Sequence, residues 1–277
     1  MRITYFSDLH VEIRTGVPRK SWTSMYPLDL GPDLSDIVGK VDLAVLAGDI
    51  GTIRPRRHVR VLDYAEQVAS FLGCPVVLIP GNHEYYHGDF DADRAALLAS
   101  RTAGVIALDR GEAFFPHATR QLRVLGATLW TDYQCTGDQE LAMFEAWRSM
   151  NDHRVIRRAG GQAFLPIDAL EEHKRSRAWL AGKLAEPHDG PTLIVTHHVP
   201  HCAARHPWFG VNSVSPAFLS DCDELIRAAA AIKTAGWIFG HHHWTHTVEV
   251  AGLQLLSAQL GYPGERTNWK GPGMLEI

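Results

Sequence analysis

Three features of the sequence predict an α/β fold. Short apolar runs of four to eight residues recur along the chain, too short for free-standing helices, and read as strands buried on both faces. Segments with helical apolar spacing lie between them. Each of five runs ends in a polar residue at its C-terminal side, at Asp8, Asp49, Asn82, His197 and His241. In open α/β sheets that edge is where ligands bind.

In chain order, "RITYF" ends in Ser7-Asp8, and His10 follows where a continuing strand would put it on the same face as Asp8. "VDLAVLAGD" ends in Gly48-Asp49. Residues 59–72 carry Val59, Leu62, Ala65, Val68, Ala69 and Leu72 at helical spacing, with Gly73 as the stop. "CPVVLIPGNHE" ends in Gly81-Asn82, where the glycine permits a tight turn that exposes Asn82 and His83 together. "QLRVLGATLW" reads as a further strand. A helix over 168–185 opens with Asp168 and Glu171 in capping-box-like spacing. "PTLIVTHH" is the strand ending in His197. A helix over 216–233 starts at Ser215-Pro216, an N-cap followed by a first-turn proline. "AGWIFGHHH" is the strand ending in His241, and "HTVEVAGLQLLS" reads as a hairpin turning at Ala251-Gly252. No internal repeat, low-complexity tract or linker interrupts the pattern, so residues 1–277 are read as a single domain.

Composition narrows the class. The chain is 45% hydrophobic and 21% charged with a net charge of −4, as for ordinary globular proteins. It has no run of five like charges, and its densest basic stretch, "RVIRRAGG" with Arg148 upstream, reads as a solvated face; nucleic acid is not the expected partner. Cys74, Cys135, Cys202 and Cys222 lie far apart with no CxxC pair, which suits free thiols in a reducing compartment. No apolar run reaches the length of a membrane span, and "MRITYFSDLH" has polar chemistry by residue 8 where a signal peptide would be apolar. A cytoplasmic protein without a membrane partner is expected.

Taken singly, each polar strand end has an ordinary reading. Asp49 serves equally as a loop or N-cap aspartate, His197 as a core histidine bonded to backbone, and Gly240 as the mark of a turn. The spacing of His241 and His243 puts both on one face, with His242 on the other, if strand pairing persists. In order, the pieces are Asp-x-His, Gly-Asp, Gly-Asn-His-Glu, His and Gly-His-x-His.

That series, spanning residues 8–243, resembles the calcineurin-like metallophosphoesterase family. The resemblance implies a four-layer α/β/β/α sandwich of two mixed sheets, with a metal site at the C-terminal ends of the strands. It implies that Asp8, His10, Asp49 and His243 hold one metal and that Asp49, Asn82, His197 and His241 hold a second, with Asp49 bridging. The donor chemistry agrees: seven oxygen or imidazole ligands without a thiolate suit two divalent or trivalent ions such as Mn, Fe or Zn in an open catalytic site. A shared carboxylate offsets the repulsion of two cations roughly 3.5–4 Å apart. By the same resemblance His83 protonates the leaving oxygen or steadies the transition state, so His83 and Asp49 are the catalytic candidates. The alternative for His83 is a structural histidine beside the ligands. His242 is expected to pack beside the site, and Glu84 to orient a neighbouring histidine.

The implied activity is metal-dependent hydrolysis of a phosphate ester by in-line attack of an activated water. Ser/Thr protein phosphatases of this superfamily carry Gly-Asp-x-Val-Asp-Arg-Gly and Arg-Gly-Asn-His-Glu. Here the stretches are "GDIGTIR" and "IPGNHEYY", without the second aspartate or the two arginines, which points to small phosphodiesters or phosphomonoesters. Candidate substrate contacts are Tyr85, His198, Asn151 and Arg154, in loops that include "MNDHR", "VPHCAARHPWFG" and "LGYPGER". Two other readings stay open at this point: a catalytically silent scaffold of the same fold, and a nuclease.

Overall fold

The computed structural model describes residues 1–14, 30–54, 60–208 and 210–277. Eleven strands form among them: β1 (Arg2–Phe6), β2 (Leu43–Ala47), β3 (Val76–Ile79), β4 (Val105–Ala107), β5 (Gly111–His117), β6 (Arg120–Ala127), β7 (Thr192–Thr196), β8 (Gly236–Ile238), β9 (Thr247–Val250), β10 (Leu253–Leu256) and β11 (Gly273–Glu276). The α-helices are α1 (Val61–Leu72), α2 (Phe90–Ala99), α3 (Gln139–Ser149), α4 (Asp152–Val155), α5 (Pro166–Ala185) and α6 (Asp223–Ala231).

The strands make two mixed sheets. One has the order β11-β1-β2-β3-β4, parallel except for β11; the other has the order β5-β6-β7-β8-β10-β9, parallel in its centre with antiparallel strands at both edges. Side-chain parity explains why the centre of "TLIVT", Leu193 to Val195, is apolar on both faces. Leu193 and Val195 join the core shared with the first sheet, whereas Ile194 packs outward with Leu180 and Leu184 of α5 and Ile226 of α6. Continuing that parity past β7 sends His197 towards the first sheet, where its Nδ1 lies 2.9 Å from the carbonyl oxygen of Ala47 at the end of β2. With α1 covering the outer face of the first sheet, the layers run α/β/β/α as expected.

The hairpin forms as read, with Val250 opposite Leu253 and left-handed φ of 50° and 82° at Ala251 and Gly252, the twist a two-residue turn needs. Helix α1 stops at Gly73, which takes φ 71°; Val59 lies outside the described residues. Two helix starts move. Helix α5 begins at Pro166, so Asp168 sits at its third position and accepts the N–H of Leu165, closing the N-terminus from inside. The Ser215-Pro216 signal starts only a single 3-10 turn, Ser215–Ala217, and α6 begins at Asp223, because the chain between them pairs Val199 with Leu219 beside β7. Helices α2 and α3 and strands β4, β5 and β11 arise where no strong apolar period announces them.

Candidate metal centre

The ends of β1, β2, β3, β7 and β8 converge on one point, those of β1, β2 and β8 not as strand continuations. Asp8, His10, Asp49, His241 and His243 all have left-handed φ, at 56°, 49°, 53°, 82° and 54°. Such values are uncommon for residues with a Cβ and persist only where the surroundings enforce them. The shared strand face expected for Asp8 and His10 is therefore replaced by a tight turn, in which the N–H of Asp8 donates to Gly48 and that of His10 to Asp49. The three histidines 241–243 likewise sit on a turn, and His241 and His243 join different clusters. Gly81 is required for closeness rather than for its φ: a Cβ there would lie 2.2 Å from Asp49 Oδ1. At Gly240 a Cβ would lie 2.7 Å from Asp8 Oδ2.

Two groups of donors meet at Asp49. Asp8, His10, Asp49 and His243 bring ligand atoms within 4.8 Å of one another, with His10 Nε2 and His243 Nε2 only 3.0 Å apart. On the other side His197 Nε2 lies 3.1 Å from Asn82 Oδ1, 3.1 Å from His241 Nδ1 and 3.3 Å from Asp49 Oδ1. All seven residues are buried. Lone pairs crowded this closely fit a cation, because their outward atoms are already engaged. His197 Nδ1 faces Ala47, His243 Nδ1 lies 2.7 Å from Glu265 Oε2, and the amide nitrogen of Asn82 donates to Asp152 Oδ1 at 2.8 Å. Those bonds leave His197 Nε2, His243 Nε2 and Asn82 Oδ1 pointing inward.

Electrostatics differ from one imidazole to the next. Burial pulls the His10 imidazole down to about 4, aided by His83, so it is neutral and able to ligate. Burial also pulls on His197, but the Asp49 carboxylate outweighs it and holds this imidazole up at about 9. His83 behaves similarly: burial lowers it, and the carboxylates of Asp49 and Glu12 raise it to about 9.

His83 stands beside the donors. Its N–H donates to Asp49 Oδ1, its ring stacks on Tyr86 at 4.0 Å, and its Nε2 faces the Tyr262 hydroxyl at 3.1 Å. Glu84 does not orient a histidine. It accepts backbone N–H groups from Asp49, Ile50, Gly51 and Gly81, tying the second and third strand ends together. Its pKa is pushed up to about 7 by burial, with Asp49 nearby. His242 packs beside the cluster, held by the Ala204 carbonyl at 2.9 Å.

Asp49, Asn82, His241 and His243 form the floor of a cavity of about 440 Å³, whose wall includes Tyr86, Met150, Asn151, Arg205, Phe218 and Tyr262. Asn151 reaches it as expected. Tyr85 does not: it is fully buried against Phe90 and Trp130, because the 3-10 turn after Asn82 sends Tyr86 to the cavity and its neighbour to the core. Arg154 turns to the backbone oxygen of Arg148, outside the cavity lining. His198 is buried under His241, rings 4.0 Å apart, without reaching the cavity surface. Phe209, in the loop after His197, lies outside the described residues. Glu12, Asp152 and Glu265, which hold His83, Asn82 and His243, are not individually singled out by the motifs; Asp152 and Glu265 fall in loops read as substrate wall.

The sequence matches the family model for calcineurin-like phosphoesterases over residues 1–245. It is similar to uncharacterized protein L509 of Acanthamoeba polyphaga mimivirus, 24% identical over all of this chain and 97% of that one. The fold resembles the crystal structure of the phosphopantetheinyl hydrolase PptH from Mycobacterium tuberculosis, with TM-score 0.63 and 18% identity over 94% of this chain and 89% of that one. The chain belongs to the calcineurin-like phosphoesterase family and is a metal-dependent hydrolase of phosphate esters.

Proposed function

We propose that this calcineurin-like phosphoesterase hydrolyses small phosphodiesters or phosphomonoesters at a dinuclear centre bridged by Asp49. The carrying observation is that Asp49, at the floor of a cavity of small-molecule size, belongs to one close donor group with Asp8, His10 and His243 and stands 3.3 Å from His197 of the other. Asp8, His10, Asp49 and His243 would hold one ion, and Asp49, Asn82, His197 and His241 the other. With oxygen and imidazole donors only, Mn, Fe and Zn all suit the set. Bound there, two such cations would supply Lewis acidity for the activation of water and for the charge on the phosphate oxygens.

The chain's own residues do the rest. Glu84 fixes the loops that carry Asp49 and Asn82. His83 presents Nε2 to the cavity and serves the leaving oxygen by donating a hydrogen bond or proton. Tyr86 and Met150 line the approach for the part of the substrate that departs. Residues 1–277 act as one domain in this reading, since β11 pairs with β1 and Glu265 reaches back to His243. The four unpaired cysteines suit the expected cytoplasmic location, and no described helix is long and apolar enough to cross a membrane.

The experiment is a hydrolysis screen over phosphomono- and diesters with metal counted in the purified protein. A phosphopantetheinyl ester belongs in the panel because the similarly folded PptH is a phosphopantetheinyl hydrolase. His83→Ala separates chemistry from metal binding: both metals should stay while kcat falls by about 10²–10⁴-fold on esters with poor leaving groups and less on nitrophenyl esters. Equal losses on both would remove the leaving-group role, and loss of metal would make His83 a ligand.

A further inference from the structure

Glu12 lies in the turn after β1, two residues beyond His10, and carries no motif. It is buried, at 8% exposure. Its Oε1 lies 2.9 Å from His83 Nδ1 and 3.7 Å from His10 Nδ1, while its Oε2, also buried, has no hydrogen-bond partner among the described residues. Glu84 is the other buried glutamate of the site, and the contrast defines what Glu12 does. Glu84 accepts four backbone N–H groups and so has a structural task. Glu12 accepts none in the described hydrogen bonds. A buried carboxylate is costly unless paired, and the close partner of this one is an imidazole.

The His83 ring is held on three sides. Glu12 meets Nδ1, Tyr86 covers one ring face, and Nε2 faces the cavity towards the Tyr262 hydroxyl. A carboxylate can only accept, so the Nδ1 proton points to Glu12 and ring flipping would break that bond. Tyr262 is 38% exposed, lines the cavity, and belongs to the loop in which Glu265 accepts its N–H.

We propose that Glu12 is the positioning residue of His83: it accepts the Nδ1–H and aims Nε2 into the cavity, where the Tyr262 hydroxyl stands at the place of the substrate oxygen that His83 serves. The proposal rests on the reading of His83 as the leaving-group residue, but the orientation itself can be measured without turnover. Like other outer partners of site histidines, Glu12 acts through the ring it holds.

The test compares Glu12→Ala, Glu12→Gln and the parent chain. On alkyl phosphate esters Glu12→Ala should lower kcat by about 10–100-fold, with KM within about twofold, metal per chain unchanged and a smaller loss on nitrophenyl esters. Glu12→Gln keeps an acceptor oxygen for Nδ1 and should recover much of that loss. Proton NMR of the full chain, without added metal and with zinc, gives the independent reading. A hydrogen-bonded ring N–H resonance that is absent from His83→Ala should be retained in Glu12→Gln and lost in Glu12→Ala. Persistence of that resonance in Glu12→Ala overturns the proposal even if the enzyme is active. So does a fall in metal content, which would make Glu12 a ligand, or an unchanged kcat. If the parent hydrolyses no ester at all, the proposed function fails, while the NMR comparison still decides whether Glu12 sets the ring.

Discussion

The floor and the wall of the cavity are built on opposite principles. Beneath the floor, Asp8, His10 and His197 are fully buried, and the outward atoms of His197, His243 and Asn82 are tied to a carbonyl or carboxylate. Much of the wall is open to solvent, with Asn151, Arg205 and Tyr262 exposed. Beyond it Trp208 and Val211 are 60% and 54% exposed, and α3, whose end supplies Ser149, turns Leu141, Phe144 and Trp147 outward while only Ala142 and Ala146 are buried. Small residues inward let α3 lie close to its neighbours, and the large ones add little to the core. The difference teaches that position on the floor is over-determined, as chemistry requires, whereas the wall can change without disturbing it.

The largest effect should come from the residue shared by both donor groups. Asp49→Asn weakens both at once and should remove most bound metal and nearly all activity, a loss beyond the about 10–100-fold typical of outer residues. Metal analysis checks it: two ions per chain in that variant would mean the floor does not depend on its bridge.

The next effect is a pH dependence confined to the floor. Ligation by His197 needs the neutral ring, and Asp49 holds its pKa at about 9, so metal binding must release a proton. The sign follows: affinity for Zn²⁺ or Mn²⁺ should rise with pH, by up to about tenfold per unit, and level off near the His197 value. Calorimetric titration in buffers of different ionisation enthalpy would measure the proton released, and a pH-independent affinity would contradict the coupling.

The smallest effect belongs to the wall. Met150→Ala should raise KM by about tenfold or less for substrates with an apolar leaving group, with kcat and metal content nearly unchanged. Loss of metal in that variant would break the distinction between the two regions, since Met150 touches the cavity without belonging to either donor group.

Much was legible before any tertiary contact was known. Short, mainly apolar runs in "RITYF", "LAVLA", "VVLI" and "TLIVT" set the buried strands, because a strand covered on both faces is apolar at neighbouring positions of both parities. The hairpin at Ala251-Gly252 and the stop at Gly73 followed from backbone freedom at single residues. Strands β4, β5 and β11 were not legible: their burial is partial or alternating, and they are set by partners elsewhere in the chain. Tyr85 was misplaced for a related reason, since only the sense of the turn after Asn82 decides which of two adjacent tyrosines faces the cavity.

The order of polar residues at the strand ends, from Asp8 to His243, was marked by local pattern along the chain, and the proposed donor set is read from it. The tertiary structure decided how they group and what holds them. His10 meets His243 across 233 positions, and His83 meets Glu12 across 71, contacts set by sheet order and by left-handed turns at the strand ends. Local periodicity records which face of an element is buried. It carries no information on which distant carboxylate will stand behind a given imidazole, because that pairing exists only once the strands have taken their order in the sheets.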